Sequence, residues 1–217
     1  MERKLLASKR IQAGSKKTCL TVLRAAEQVF AKQGFAGTSM RDISRASGVS
    51  QPLIHHYFKT KRALYNEIKR LVVLRCEAHL ADAVRDIDPE DCMPEVVLRR
   101  TFEFMKDNPN FIRLGAWAQL EGDTAAWPGE VEARINFSRM FSAAQDSGTV
   151  RKHLDPRLLT ILMEGLMFAW WEYRETYMRI HQGEAAEMDD KILEAMVEVF
   201  LKGTLTAETN IAQSADV

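Results

Sequence analysis

The chain has 217 residues, 46% of them hydrophobic, and 30 Lys or Arg balance 30 Asp or Glu. That length and apolar content predict a globular chain with a core, arranged as one large domain or two small ones. The zero net charge conceals a division: residues 1–75 hold 16 basic and 4 acidic groups, the remainder 14 and 26, so the first third suits nucleic acid or an anionic surface and the rest is repelled by both.

The most apolar stretch, Leu158 to Trp171, is interrupted by Glu164, and the polar N-terminus lacks the apolar run of a signal peptide; the expected location is therefore cytoplasmic, without membrane contact. Cys19, Cys76 and Cys92 are widely spaced and form no Cys-x-x-Cys pair, so neither a disulfide framework nor a zinc site is expected and the thiols read as buried or idle.

In chain order, residues 1–15 read as a mobile basic arm ending in Gly14 and Ser15. Lys17 to Gln33 sets Leu20, Leu23, Ala26, Val29 and Phe30 at helical spacing, and Gly34 can end that helix in the left-handed region. Ser39 with Asp42 forms a capping-box pattern before a short helix in which Met40 and Ile43 face inward. Gly48 and Val49 end it, Ser50 caps the next helix, and Pro52 occupies that helix's first turn. Two helices of about two turns joined at a glycine are a helix-turn-helix, here spanning about residues 39–58. Thr60 can cap a long helix that stops at Asp88-Pro89 and joins the basic and acidic parts. Further helices are expected over Cys92 to Lys106, from Asn108-Pro109 to Glu121, from Gly129 towards Gly148, behind Asp155-Pro156 and over Asp189 to Lys202, with a polar tail from Thr204. No alternating strand pattern and no internal repeat is visible. The expected class is all-α with about nine helices: a helix-turn-helix domain over 16–62, a larger helical domain over 63–203 and a tail over 204–217.

In the second short helix Ile54 and Phe58, at i and i+4, can enter the core, which leaves Ser50, Gln51, Leu53, His55, His56 and Tyr57 towards the outside. Such groups suit a major groove. Gln51 can bond adenine bidentately, Leu53 or the Pro52 ring can meet a thymine methyl, and His and Tyr can reach phosphate. Lys59 and Lys61 follow where exposed helix amides also attract phosphate. The competing reading, ordinary surface polar groups on a helical bundle, is opposed by the local excess of positive charge. Adjacent His55 and His56 diverge on a helix and lack an acidic or cysteine ligand one turn on, so no metal is expected.

The run from Ala25 to Ile68 carries F-x-x-x-G-F-x-x-T-S from Phe30, I-x-x-x-x-G-V-S from Ile43 and Y-F-K-x-K-x-x-L from Tyr57. It resembles the DNA-binding domain of the TetR family of bacterial transcriptional regulators, over about a quarter of the chain. The resemblance implies a recognition helix at Gln51 through Tyr57, phosphate contacts at Thr38, Ser39 and Arg41, and a phosphate-binding lysine at Lys61. His55 departs from the family pattern, which usually has Tyr there, so neighbouring His56 could share or take that contact.

One short recognition helix reads too few base pairs to find a site in a genome, so a homodimer on a palindromic operator is expected. The apolar stripes Leu159, Leu162, Leu166 and Ile192, Met196, Val197, Phe200 are the candidate interface; in the family the last two long helices form a four-helix bundle with the partner. An apolar or aromatic small-molecule effector is expected among Phe102, Trp117, Phe137, Phe141, Met163, Met167 and Trp170, oriented by groups such as Arg113, Glu121 or Tyr173. Binding there would release a repressor from DNA through linkage. The sequence has no G-x-S-x-G, no H-E-x-x-H and no glycine-rich phosphate loop, so it is not read as an enzyme and no cofactor is expected. The alternatives are a nonspecific binder of nucleic acid or anionic surfaces, and a helical enzyme without a recognisable motif.

Overall fold

A computed structural model describes residues 2–85, 93–181 and 185–206. Among them are nine helices and no strand: α1 Glu2–Gln33, α2 Met40–Ser47, α3 Gln51–Phe58, α4 Lys61–Arg85, α5 Met93–Asp107, α6 Pro109–Leu120, α7 Glu130–Asp146, α8 Pro156–His181 and α9 Ala185–Thr204. The expected all-α class holds.

Helix α1 begins earlier than the expected Lys17. Its first half is rich in Lys, Arg, Leu, Ala and Gln, all good helix formers, so the stretch read as a separate basic arm continues the helix instead. Its buried face is centred on Val22, Ala26 and Phe30, and Leu20, expected inside, is 53% exposed. Gly34 ends the helix at φ 72°, its amide donating to the Phe30 carbonyl. The expected helix stop at Asp88-Pro89, and Cys92, lie outside the described residues.

The chain forms two compact units, one of Met1–Val72 with Pro109–Pro128 and the other of Val73–Asn108 with Gly129–Val217. The division falls inside α4, ten residues beyond the expected boundary, and assigns α6 to the first unit. Sequence periodicity could not assign α6, because Leu114 and Ala118 show only that it buries one side. The first unit's core joins Val22, Ala26 and Phe30 to Ile43, Ile54, Phe58, Leu64, Tyr65, Ile68 and Leu114. Each large apolar side chain buried there contributes about 1.5–3 kcal/mol before chain entropy is subtracted.

In the second unit α5, α7, α8 and α9 bury Phe102, Phe141, Met163, Met167 and Phe200. Glu164, the charge that interrupts the apolar run of α8, receives the Arg134 guanidinium at 2.5 Å. Burial raises its carboxyl above the usual range, and Arg134 opposes that rise. Buried Asp189 binds Trp170 Nε1 at 3.1 Å and Arg174 Nε at 2.7 Å, tying α9 to α8. The expected polar tail starts differently from its reading: Leu205 is fully buried and pairs with Val150, and Thr206 N–H donates to the Thr149 carbonyl. Burial pushes the Cys76 thiol up to about 12, which keeps it protonated and inert. No described helix is long and apolar enough to cross a membrane.

Candidate nucleic-acid interface

The helix-turn-helix forms through local chemistry. Ser39 Oγ accepts the Asp42 amide at 3.2 Å while Asp42 Oδ2 accepts the Ser39 amide at 3.0 Å. This reciprocal capping box satisfies two free donors at the start of α2. Hydrogen bonds from Ser39 hold the Asp42 carboxyl below its usual range. Gly48 stands at φ 69° and its amide closes α2 onto the Ser44 carbonyl. Ser50 occupies the N-cap of α3 with an extended backbone but its side chain makes no capping bond. Pro52, at the second helical position, has no amide hydrogen to offer it.

Helix α3 buries Ile54 and Phe58 and thereby fixes its outward face. Pro52, Leu53, His55 and His56 are exposed, Leu53 by 39%, and Gln51 and Tyr57 are partly exposed. Ser39, Arg41, Arg45 and Lys59, from α2 and the ends of α2 and α3, are exposed too. Three residues carried over from the family resemblance are otherwise engaged. Thr38 is 2% exposed, and its hydroxyl donates its hydrogen inward to the Gly34 carbonyl at 2.7 Å rather than outward. Lys61 Nζ donates to the carbonyls of Phe35 and Thr38, both at 2.7 Å. Tyr57 OH donates to Ser15 Oγ at 3.1 Å.

A polar clasp in the same unit escaped sequence reasoning. Glu121, just beyond α6, accepts the amides of Phe35 at 3.1 Å and Ala36 at 2.9 Å. Asp123 receives Lys69 at 2.8 Å and Arg62 at 3.0 Å. Lys69 is 2% exposed, with its ammonium 4.6 Å from the Tyr65 ring centre and 5.3 Å from that of Trp127. The Arg62 guanidinium lies 3.8 Å over the Phe35 ring. One signal pointed this way: Lys69 stands one turn after Tyr65 inside the buried stripe of α4, and a lysine there requires an anion.

The expected effector residues are divided between the units. Arg113, Trp117 and Glu121 belong to the first, where Trp117 and Glu121 close on the turn after α1. Glu121 is thus bonded to backbone amides rather than aimed at a ligand. Phe102, Phe137, Phe141, Met163, Met167, Trp170 and Tyr173 belong to the second. Phe102 lies 5.2 Å from Trp171 and Phe141 lies 6.0 Å from Phe200, ring centre to ring centre. Tyr173 is exposed, and Phe137 and Phe141 line a small apolar pocket with Met93, Pro94, Val97 and Met140.

Of the expected interface residues, Leu159, Met196, Val197 and Phe200 are buried within the chain itself, Leu166 and Ile192 are half-buried, and Leu162 is 60% exposed. Helices α8 and α9 use one apolar column to pack inside the unit. The column left outside is Leu158, Ile161, Leu162, Tyr173, Tyr177 and Ile180 on α8, with Val199 on α9. Among the described residues no group of three or more His, Cys, Asp or Glu could hold a metal ion.

A capped, glycine-broken helix pair presenting a short exposed helix, carried by an all-helical chain with a second helical unit, defines a helix-turn-helix protein. Residues 22–68 match the model of bacterial regulatory proteins of the tetR family, and residues 96–200 match the tetracyclin repressor-like C-terminal domain. The chain belongs to the TetR family. It is 28% identical over 125 residues to the HTH-type transcriptional repressor SCO4008 of Streptomyces coelicolor, a match covering 58% of this chain and 62% of that one. It is 32% identical over 101 residues to the HTH-type transcriptional regulator RutR of Escherichia coli K12, covering 46% of this chain and 47% of that one. The chain thus spans about half to three fifths of the length of these curated relatives. The solved structure of SCO4942 from Streptomyces coelicolor has the same fold, with a TM-score of 0.71 at 20% identity over 86% of this chain and 98% of that one.

Proposed function

We propose that the protein is a sequence-specific DNA-binding transcriptional regulator, acting as a homodimer on a palindromic operator and released from it by a small apolar or aromatic molecule. The observation that carries this reading is the outward face of α3, where Gln51, Pro52, Leu53 and His56 stand beside exposed Arg41 and Lys59. A helix of that size fits the major groove, with base edges read by the first set and phosphates neutralised by the second. The name of SCO4008 as a repressor supports repression as the direction.

Leu53→Ala and His56→Ala are each expected to lower the preference for the operator over random duplex by about 10- to 100-fold, leaving affinity for random DNA intact. Arg41→Ala is expected to weaken both equally and to reduce the salt slope by about one. Competition binding across salt concentrations separates these outcomes, and uniform loss in all three variants would count against sequence reading by α3.

The outer column of α8 supports dimerisation. Leu158, Leu162, Tyr173, Tyr177 and Ile180 recur at helical spacing over about 33 Å of helix, around Gly165 and Ala169, whose small side chains allow close helix approach. An apolar stripe of that length is what a partner helix covers. Leu162→Arg is expected to convert the dimer to monomer in sedimentation equilibrium and to abolish operator binding at nanomolar protein; an unchanged dimer would place the interface elsewhere.

The effector reading rests on the second unit. Its interior is lined by methionines and aromatic rings, side chains that adapt to apolar ligands. The pocket at Met93, Val97, Phe137 and Met140 holds only about 10 Å³, so a ligand would enter by displacing them. The buried Nε1 of Trp171 has no hydrogen-bond partner and would be satisfied by a ligand acceptor. Helix α4 begins beside the recognition helix and continues into the second unit, so the coupling is carried through it, at about 1–3 kcal/mol.

A further inference from the structure

Lys59 is the one described residue other than glycine with positive φ, at φ 56° and ψ −54°. The Thr60 amide donates across it to the Phe58 carbonyl at 2.5 Å. Together these make a three-residue γ-turn with positive φ at its centre, a rare and strained conformation for a residue with a side chain. The strain has an identifiable cause. On one side Phe58 is buried in the core. On the other, Thr60 Oγ1 caps α4 through the Ala63 amide at 3.0 Å and Lys61 Nζ is fastened to the carbonyls of Phe35 and Thr38. Lys59 alone bridges Phe58 and Thr60, and the surroundings therefore over-determine its backbone.

His55 meets that turn from within the recognition helix. The Lys59 amide donates to the His55 carbonyl at 2.9 Å, and His55 Nδ1 lies 3.0 Å from the Lys59 carbonyl oxygen. A carbonyl oxygen only accepts, so Nδ1 carries the proton in this bond. One residue thus accepts the closing amide of α3 with its backbone carbonyl and donates to the Lys59 carbonyl with its ring.

We propose that His55 is a positioning residue for DNA recognition. Its Nδ1–H holds the Lys59 carbonyl, sustains the strained turn and so sets the angle between α3 and α4, rather than binding phosphate as the tyrosine usual at this position would be expected to. This inference rests on the DNA-binding reading above. It gives His55 and His56 different duties: His55 turns its Nδ1 back to the protein, and His56 is left free for DNA.

The two ring nitrogens can be replaced separately. His55→Asn keeps a donor where Nδ1 stood, and His55→Gln keeps one where Nε2 stood. With a duplex selected by the unmodified protein, His55→Ala is expected to weaken specific binding about tenfold with an unchanged salt slope. His55→Asn should recover most of that loss and His55→Gln little of it. Lys59→Gly relieves the backbone, so His55→Ala made on top of it should cost less than twofold, whatever Lys59→Gly costs alone through its lost charge. Rescue by Gln instead of Asn, a salt slope lowered by about one, or additive losses in the double variant would each overturn the proposal in favour of direct DNA contact. Nitrogen-15 NMR of the His55 ring tests the same bond without DNA: a proton on Nδ1 is expected, and a neutral ring protonated on Nε2 alone would overturn the proposal. If no duplex is selected but the Nδ1 proton is present and Lys59→Gly suppresses the loss of thermal stability caused by His55→Ala, the DNA-binding reading fails while the clamp on the turn stands.

Discussion

Asp123→Ala is expected to destabilise the first unit by about 3–5 kcal/mol, the cost of leaving a buried charge without its counter-ion. The side chain of Lys69 is 3% exposed, and its ammonium meets the Asp123 carboxylate at 2.8 Å. The rings of Tyr65 and Trp127 stabilise the cation but cannot neutralise it. Tyr65 does not replace the lost anion, because burial, the largest cause of the rise of its hydroxyl in the unmodified protein, remains when Asp123 is removed. Denaturant unfolding, with hydrogen exchange to localise the loss, should find the core around Tyr65 and Ile68 opened while α8 and α9 keep their protection. A loss below about 1 kcal/mol would mean that water reaches Lys69.

The same pair predicts a pH dependence. The hydrogen bond from Lys69, ahead of the attraction of Lys69 and Arg62, holds the Asp123 carboxyl below its ordinary value of 3.8. A carboxylate lowered on folding contributes stability above its unfolded pKa and loses that contribution as pH falls through its folded pKa. The unmodified protein should therefore lose stability below about pH 4, and Asp123→Ala should lack that part of the acid response.

Gly34→Ala is expected to cost about 3 kcal/mol. At φ 72° a β-carbon is itself disfavoured, and here it would stand 2.4 Å from Glu121 Oε1 and 2.8 Å from Trp117 Cε3. The glutamate could swing aside, but only by releasing the amides of Phe35 and Ala36. The indole ring would have to move as a rigid body. Gly34→Ala made with Glu121→Ala should recover the part of the loss due to the carboxylate and none of that due to the backbone, a separation that a double-mutant cycle by urea unfolding would measure. Operator binding should weaken with stability, because the turn precedes α2 and Lys61 anchors to it.

The helix-turn-helix was legible in the sequence because its determinants are local. The Ser39 and Asp42 box, the left-handed Gly48, Pro52 in the first turn of α3 and the inward Ile54 and Phe58 all act within a few residues of one another. The clasp was not, since Glu121 meets Phe35 across 86 positions and no local pattern pairs them. For the same reason Glu121 and Trp117 read as ligand groups, and Leu205 as tail, although it is buried against Val150. Helical periodicity found the two apolar columns of α8 and α9 but could not tell which one packs inside. At Thr38 the family contact carried over by position meets a hydroxyl that donates inward to the Gly34 carbonyl, because a motif match transfers residue identity without its hydrogen bonds.

The most direct measurement is selection from a random duplex library by the purified full-length protein at fixed salt, followed by sequencing. Enrichment of an inverted repeat is expected, with half-site centres about 34–36 Å apart or a multiple of that and base preferences that change in Leu53→Ala and His56→Ala. Salt-sensitive binding with no enriched sequence, or an enriched site without two-fold symmetry, would contradict it.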